Sequence, residues 1–154
     1  MFTSLELKIP PPVVALIAAV LMWILTRKFG FSSFDIAYKF ALCGFLVGLG
    51  LMIDLAALWR FAQAKTTVNP IKPRNASALV TSGIYQYTRN PMYVGNFMFL
   101  SAWLVWLGSP YSAVCIVLYV LYMNKFQIKP EERVLQTLFG EQYAVFCKRV
   151  RRWV

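Results

Sequence analysis

Residues 90–124 read NPMYVGNFMFLSAWLVWLGSPYSAVCIVLYVLYMN, a run of 35 positions without one charged side chain. As a single helix it would be about 52 Å long at roughly 1.5 Å per residue, far beyond a hydrocarbon core near 30 Å, so the chain must fold back within it. Gly108-Ser109-Pro110 supplies the turn, because Gly and Pro together punctuate a helical pattern. The stretch predicts a tight antiparallel helical hairpin of short membrane spans, 91–107 and 111–123.

Upstream, Ile9 to Thr26 is uncharged over 18 residues and predicts a first span, 9–26. A cleaved signal peptide competes for this segment. With Lys8 as the one positive charge ahead of it and Pro10-Pro11-Pro12 where a basic region would end, a retained span is expected. Phe40 to Trp59 predicts a second span, 40–59, interrupted by Asp54, with Gly44, Gly48 and Gly50 expected to admit another helix closely. Beyond Met123 the chain is expected to leave the membrane. From Pro130, Val134, Leu135, Leu138, Phe139, Val145 and Phe146 recur at helical spacing among Glu131, Glu132 and Glu141, which predicts an amphipathic helix beneath the bundle. Lys148, Arg149, Arg151, Arg152 and Trp153 then form a basic end suited to a headgroup layer.

Four spans put both termini and the connection 60–89 on one side. That side carries 13 of the 16 Lys and Arg residues, leaving Arg27, Lys28 and Lys39 opposite, so the positive-inside rule predicts cytoplasmic termini. The sequon at Asn75 and Ser77 falls on the same side and is not expected to be glycosylated. The expected fold class is all-α, a polytopic membrane helical bundle in a single domain over 1–154, with 60–89 and 124–154 cytoplasmic. A bacterial inner membrane or an ER-type membrane would suit it.

Composition supports this class: 59% hydrophobic and 14% charged residues over 154 positions are too apolar for an ordinary soluble domain. The net charge of +10 is confined between long uncharged stretches, so membrane lipids with anionic headgroups, rather than nucleic acid, are the expected partners. With no histidine, Ser/His and Cys/His catalysis and His-ligated zinc or haem are excluded. Cys43, Cys115 and Cys147 are scattered and odd in number, so neither a disulfide framework nor a metal site is expected.

Candidate chemistry begins with Asp54, an acid inside a predicted span, although a place near the span's end would let it reach water or a basic group. Asn69-Pro70-Ile71-Lys72-Pro73-Arg74 is stiff and extended, and Leu79 to Tyr85 turns the connection back toward the membrane. It ends in Arg89-Asn90-Pro91-Met92-Tyr93-Val94-Gly95. Asn before Pro is also an ordinary way to open a helix, and Glu131-Glu132 after Pro130 complements a helix dipole.

Taken together, Thr81-Ser82-Gly83-Ile84-Tyr85, Arg89 to Gly95, and Glu131-Glu132 with Leu135, Phe139-Gly140 and Tyr143 resemble the signature of the isoprenylcysteine carboxyl methyltransferase and phospholipid methyltransferase superfamily. The resemblance covers roughly residues 66 to 152 and implies an integral membrane enzyme using S-adenosylmethionine on a lipophilic small-molecule or lipid substrate. By the same resemblance, the cofactor would meet Ser77, Ala78, Leu79, Val80, Tyr85, Asn90, Pro91, Met92, Tyr93 and Glu131. Arg89 and Glu132 would stand at the catalytic corner and Gln127 at a substrate position. Asn90 replaces a histidine common in the family, which removes a titrating base. Gln127 replaces an arginine associated with the prenylcysteine carboxylate, and a neutral amide clamps an anion poorly, which argues against that substrate. An NADPH-dependent membrane reductase and a non-enzymatic membrane scaffold or transport subunit are the alternatives. Residues 90–96 look more like the methyltransferase version of the motif than the reductase one.

Overall fold

The computed structural model describes residues 6–29, 38–65 and 76–154. The stiff segment 69–74 and Asn75 lie outside the described residues. Every regular element among those described is helical: α1 (Pro11–Phe29), α2 (Lys39–Gln63), α3 (Pro91–Leu107), α4 (Ala113–Tyr122) and α5 (Lys129–Arg149), with 3₁₀ turns at Gly83–Gln86 and Pro110–Ser112. The all-α expectation holds. α1, α2 and the helical run Pro110–Arg149 are long and apolar enough to cross a membrane, and α3 is a shorter apolar helix. Leu16, Phe45, Leu55 and Trp59 stand exposed on α1 and α2, faces that suit lipid rather than water.

α3 begins at Pro91 and ends at Leu107, where Gly108 takes a left-handed conformation (φ 61°) and donates its N–H to the Leu104 carbonyl at 3.0 Å. The chain thus turns where Gly108-Ser109-Pro110 predicts. Its two arms nevertheless make little contact, because α1 packs against both. Trp103 Nε1 on α3 donates to the Ala19 carbonyl at 3.1 Å, and Ser112 Oγ donates to the Met22 carbonyl at 3.0 Å. Thr26 Oγ1 and Ser112 Oγ share a further hydrogen bond of 2.8 Å. Trp103 and the buried Ser112 find these partners only with α1 in place.

α2 packs along α3 more extensively than any other helix pair does. Of the three glycines expected to allow this, only Gly50 does so: a Cβ there would meet the Phe99 ring at 2.7 Å and the Gly95 carbonyl at 3.2 Å. Gly44 and Gly48 face open space.

The largest departure from the sequence reading lies after Met123. α4 does not end in a break but runs through a π-helical turn, Met123–Ile128, directly into α5. Pro130 lacks an N–H and its ring crowds the carbonyl four residues earlier, and the wider π turn just ahead absorbs that misfit. The chain departs from the helical path at Gly140 (φ 48°) instead. At this end of the bundle Leu7 N donates to the Phe126 carbonyl at 3.1 Å, and Arg133 pairs with Glu6 at 2.7 Å. The N-terminal segment, the connection and the C-terminal tail therefore gather together.

Two apolar clusters result. One, including Met22, Leu100, Tyr119 and Met123, joins α1, α3 and α4; the other, including Ala57, Val80, Tyr85, Tyr143 and Phe146, packs the connection between α2 and α5. In thermal unfolding in detergent, Gly50→Val is expected to destabilise by about 1–3 kcal/mol through overpacking. Gly44→Ala and Gly48→Ala are expected to be neutral or to stabilise by about 0.5–1 kcal/mol each. Equal loss in all three variants would contradict the packing described.

Candidate active site

Where the connection meets α3, Asn90 precedes Pro91, yet its side chain caps no helix N–H. Instead Asn90 Nδ2 donates to the Arg152 carbonyl at 2.8 Å, while Arg89 N donates to the Arg151 carbonyl at 3.0 Å. The C-terminal tail is stitched to the start of α3. Trp153 Nε1 adds a hydrogen bond of 3.0 Å to Asn124 Oδ1. Arg152 and Trp153, expected at headgroups, thus serve as internal braces, and Lys148, Arg149 and Arg151 remain exposed.

Glu132 anchors this joint. Arg152 grips its carboxylate in bidentate fashion, Nε to Oε1 at 3.0 Å and Nη2 to Oε2 at 2.7 Å, and Arg89 Nη1 lies 3.1 Å from Oε1. The hydrogen bonds that Arg152 donates to Glu132 raise the Arg152 pKa further. Arg89 Nη1 also donates to Cys147 Sγ at 2.6 Å.

Glu131, the preceding residue, has a different environment. Tyr93 Oη, on the first turn of α3, donates to its two oxygens at 2.7 and 2.9 Å, and Gln127 Nε2 donates to Oε1 at 3.2 Å. Among the described residues no cation pairs with it. Burial pushes its pKa up to about 7, against the opposing pull of the Tyr93 and Gln127 hydrogen bonds. Burial, with the Glu131 charge second, also raises the Tyr85 hydroxyl above the ordinary phenol range. The Tyr85 ring meets Phe61 edge-on at 5.6 Å between centroids.

These groups line one cavity of about 450 Å³. From the connection come Ala78, Leu79, Val80 and Tyr85; from the joint with α3, Arg89 to Tyr93; from α5, Glu131 and Glu132. Two residues expected at the site stand off its wall. Ser77 is exposed, its Oγ 3.4 Å from the Lys65 carbonyl, and Gln127 is buried behind Glu131 and reaches the cavity through that carboxylate. Sequence reasoning did not select Asn96, Phe61, Leu135 or Phe146, which also line it. Helical spacing carried part of that signal, since Asn96 and Leu135 follow Tyr93 and Glu131 by three and four positions. Asp54 lines the cavity from α2. The result is an apolar chamber with an uncompensated carboxylate at its wall, able to receive a cationic or hydrogen-bond-donating ligand.

The sequence model of the phospholipid methyltransferase family matches residues 38–142. Isoprenylcysteine O-methyltransferases are also similar to this chain. The Schizosaccharomyces pombe enzyme is 31% identical over 113 residues, covering 73% of this chain and 48% of its own. Isoprenylcysteine O-methyltransferase B of Arabidopsis thaliana is 30% identical over 105 residues, 68% of this chain and 53% of its own. The human protein is 39% identical over 105 residues, 68% of this chain and 37% of its own. The chain spans about half the length of the first two and less of the third. The match across α2, α3, α4 and the start of α5, with these relatives beside it, shows that the chain belongs to the phospholipid methyltransferase family of membrane methyltransferases.

Proposed function

We propose that this protein transfers a methyl group from S-adenosylmethionine to a lipophilic or lipid-like acceptor at the cytoplasmic face of a membrane. The observation that carries the reading is the convergence of Tyr85, Tyr93 and Glu131, from separate parts of the chain, on one cavity. Glu131 is the fit test: a carboxylate whose ionisation burial opposes, without a cation among the described residues, matches the ammonium of the cofactor. A chamber of about 450 Å³ lies within the size range of small-molecule sites, roughly 300–1,000 Å³.

When bound, S-adenosylmethionine supplies an activated methyl on a sulfonium, so the hard chemistry is the cofactor's. The Glu131 carboxylate holds the ammonium or the ribose hydroxyls, oriented by Tyr93 and Gln127. Leu79, Val80, Tyr85 and Tyr93 line the cavity; the backbone groups of the first two would pair with the adenine edge, and the two tyrosines would offer aromatic surface. Arg89 and Glu132, clamped with Arg152, hold the tail against α3 and keep the cavity's wall in place. The protein's task is alignment of an acceptor behind the methyl carbon in a site shielded from water. The positive-inside count supports a cytoplasmic location for the termini and for the cofactor side, 60–89 and 124–154, of a single domain.

Calorimetry on the purified protein tests the reading: S-adenosylhomocysteine is expected to bind and NADPH not. Binding of NADPH alone, or of neither, contradicts it. Glu131→Ala is expected to weaken S-adenosylhomocysteine at least roughly tenfold, the loss of a charge-assisted hydrogen bond; unchanged affinity would misplace the site. The pH dependence has a definite sign. Below about pH 7 the free protein carries Glu131 protonated, and holding an ammonium requires it ionised. Affinity is therefore expected to fall roughly tenfold from pH 8 to pH 6, at about 1.4 kcal/mol per pH unit below the pKa. Glu131→Gln should flatten this dependence, and an unchanged slope in that variant would assign the titration to another group.

A further inference from the structure

Asp54 is the one carboxylate lining the cavity, among the described residues, to which the cofactor-binding reading gives no part. It projects from α2 toward α3 at Gly95, where a Cβ would fall on its carboxylate. The close approach of the helices at Gly50 and Gly95 therefore makes room for this side chain. Its Oδ1 is buried and has no hydrogen-bond partner among the described residues. An unsatisfied buried acceptor is costly and is sustained where a ligand supplies the donor. Asn96, one residue beyond Gly95, lines the cavity as well.

The charges of the chamber set the chemistry of that donor. Asp54, Glu131 and Glu132 line it against Arg89, the one cation among the described lining residues, and Arg89 is engaged by Glu132. The Arg89 charge is thus already offset by Glu132, although its buried Nε has no hydrogen-bond partner among the described residues. A carboxylate acceptor would arrive beside uncompensated carboxylates, whereas an N–H or S–H group would satisfy Oδ1.

We propose that Asp54 is the proton acceptor of the methyl-transfer reaction, taking one proton from a protic methyl acceptor, an ammonium or thiol head on an apolar tail. This rests on the methyltransferase reading above. The acceptor's N–H or S–H bond breaks and its proton passes to the Asp54 carboxylate. The freed electron pair forms the new N–C or S–C bond to the methyl carbon. The methyl–sulfonium bond breaks, its electrons staying on sulfur as a neutral thioether, and Asp54 returns the proton to water as product leaves. An acceptor that is already a carboxylate needs no such step.

The test uses purified full-length protein in detergent, radiolabelled S-adenosylmethionine, and reporter acceptors of defined chemistry: dodecylamine, dodecanethiol and N-acetyl-S-farnesylcysteine. Wild type is expected to methylate the amine or the thiol. Asp54→Asn and the smaller Asp54→Ser are expected to lose at least about 100-fold in rate, the usual scale for a general base. Both should bind S-adenosylhomocysteine within about twofold of wild type, which also reports that they fold. Turnover within threefold of wild type in either variant overturns the proposal. So does methylation confined to the farnesylcysteine carboxylate, methylation of none of the reporters, or loss of S-adenosylhomocysteine binding in both variants, which would give Asp54 a binding or structural role. Failure of wild type to bind S-adenosylhomocysteine at all would instead remove the methyltransferase reading itself.

Discussion

Adjacent carboxylates on one helix, one neutralised and one not, are the constraint on which this molecule turns. Glu132 is satisfied by Arg89 and Arg152, and through them the C-terminal tail is locked to the start of α3. Glu131 receives neutral donors alone, from Tyr93 and Gln127, and so remains a carboxylate whose ionisation burial opposes. A protein keeps such a group where it is used. The clamp at Glu132 and the chamber at Glu131 depend on each other, since the clamp fixes the wall that Tyr93 and Arg89 share.

The bundle serves this arrangement. α1 stands between the arms of the α3–α4 turn and gives Trp103 and Ser112 their acceptors, so the apolar part of the molecule is held by an inserted helix rather than by a self-contained hairpin. The unbroken run from α4 into α5 carries Gln127, Glu131 and Glu132 on one rigid rod. A helix–break–helix joint would let those side chains move relative to the membrane core. The π turn at Met123–Ile128 is thus a structural solution to Pro130 and a way of aiming the site.

Features governed by local chemistry were legible in the sequence. Pro91, Gly108 and Pro110 mark the limits of α3 and the turn after it because their constraints are intrinsic to the residue. The resemblance of separated motifs brought Tyr85, Tyr93 and Glu131 together as candidates, and the structure gives them one cavity. What depends on distant partners was not legible. Pro130 looks like a helix start unless the π turn before it is known. Asn90 looks like a cap until the tail offers its carbonyl. Arg152 and Trp153 look like headgroup anchors until Glu132 and Asn124 are seen beside them. Gly44, Gly48 and Gly50 are alike in sequence, and only the neighbour across the interface distinguishes the last.

The central claim is that the Glu131 carboxylate, with no cation beside it among the described residues, grips an adenosyl cofactor. A structure of the protein with S-adenosylhomocysteine tests it most directly. The expected result puts the ligand's ammonium or ribose hydroxyls within about 3 Å of the Glu131 carboxylate, with the adenine edge at the backbone of Leu79 and Val80. S-adenosylhomocysteine bound outside this chamber, or within it but turned away from Glu131, would contradict the account.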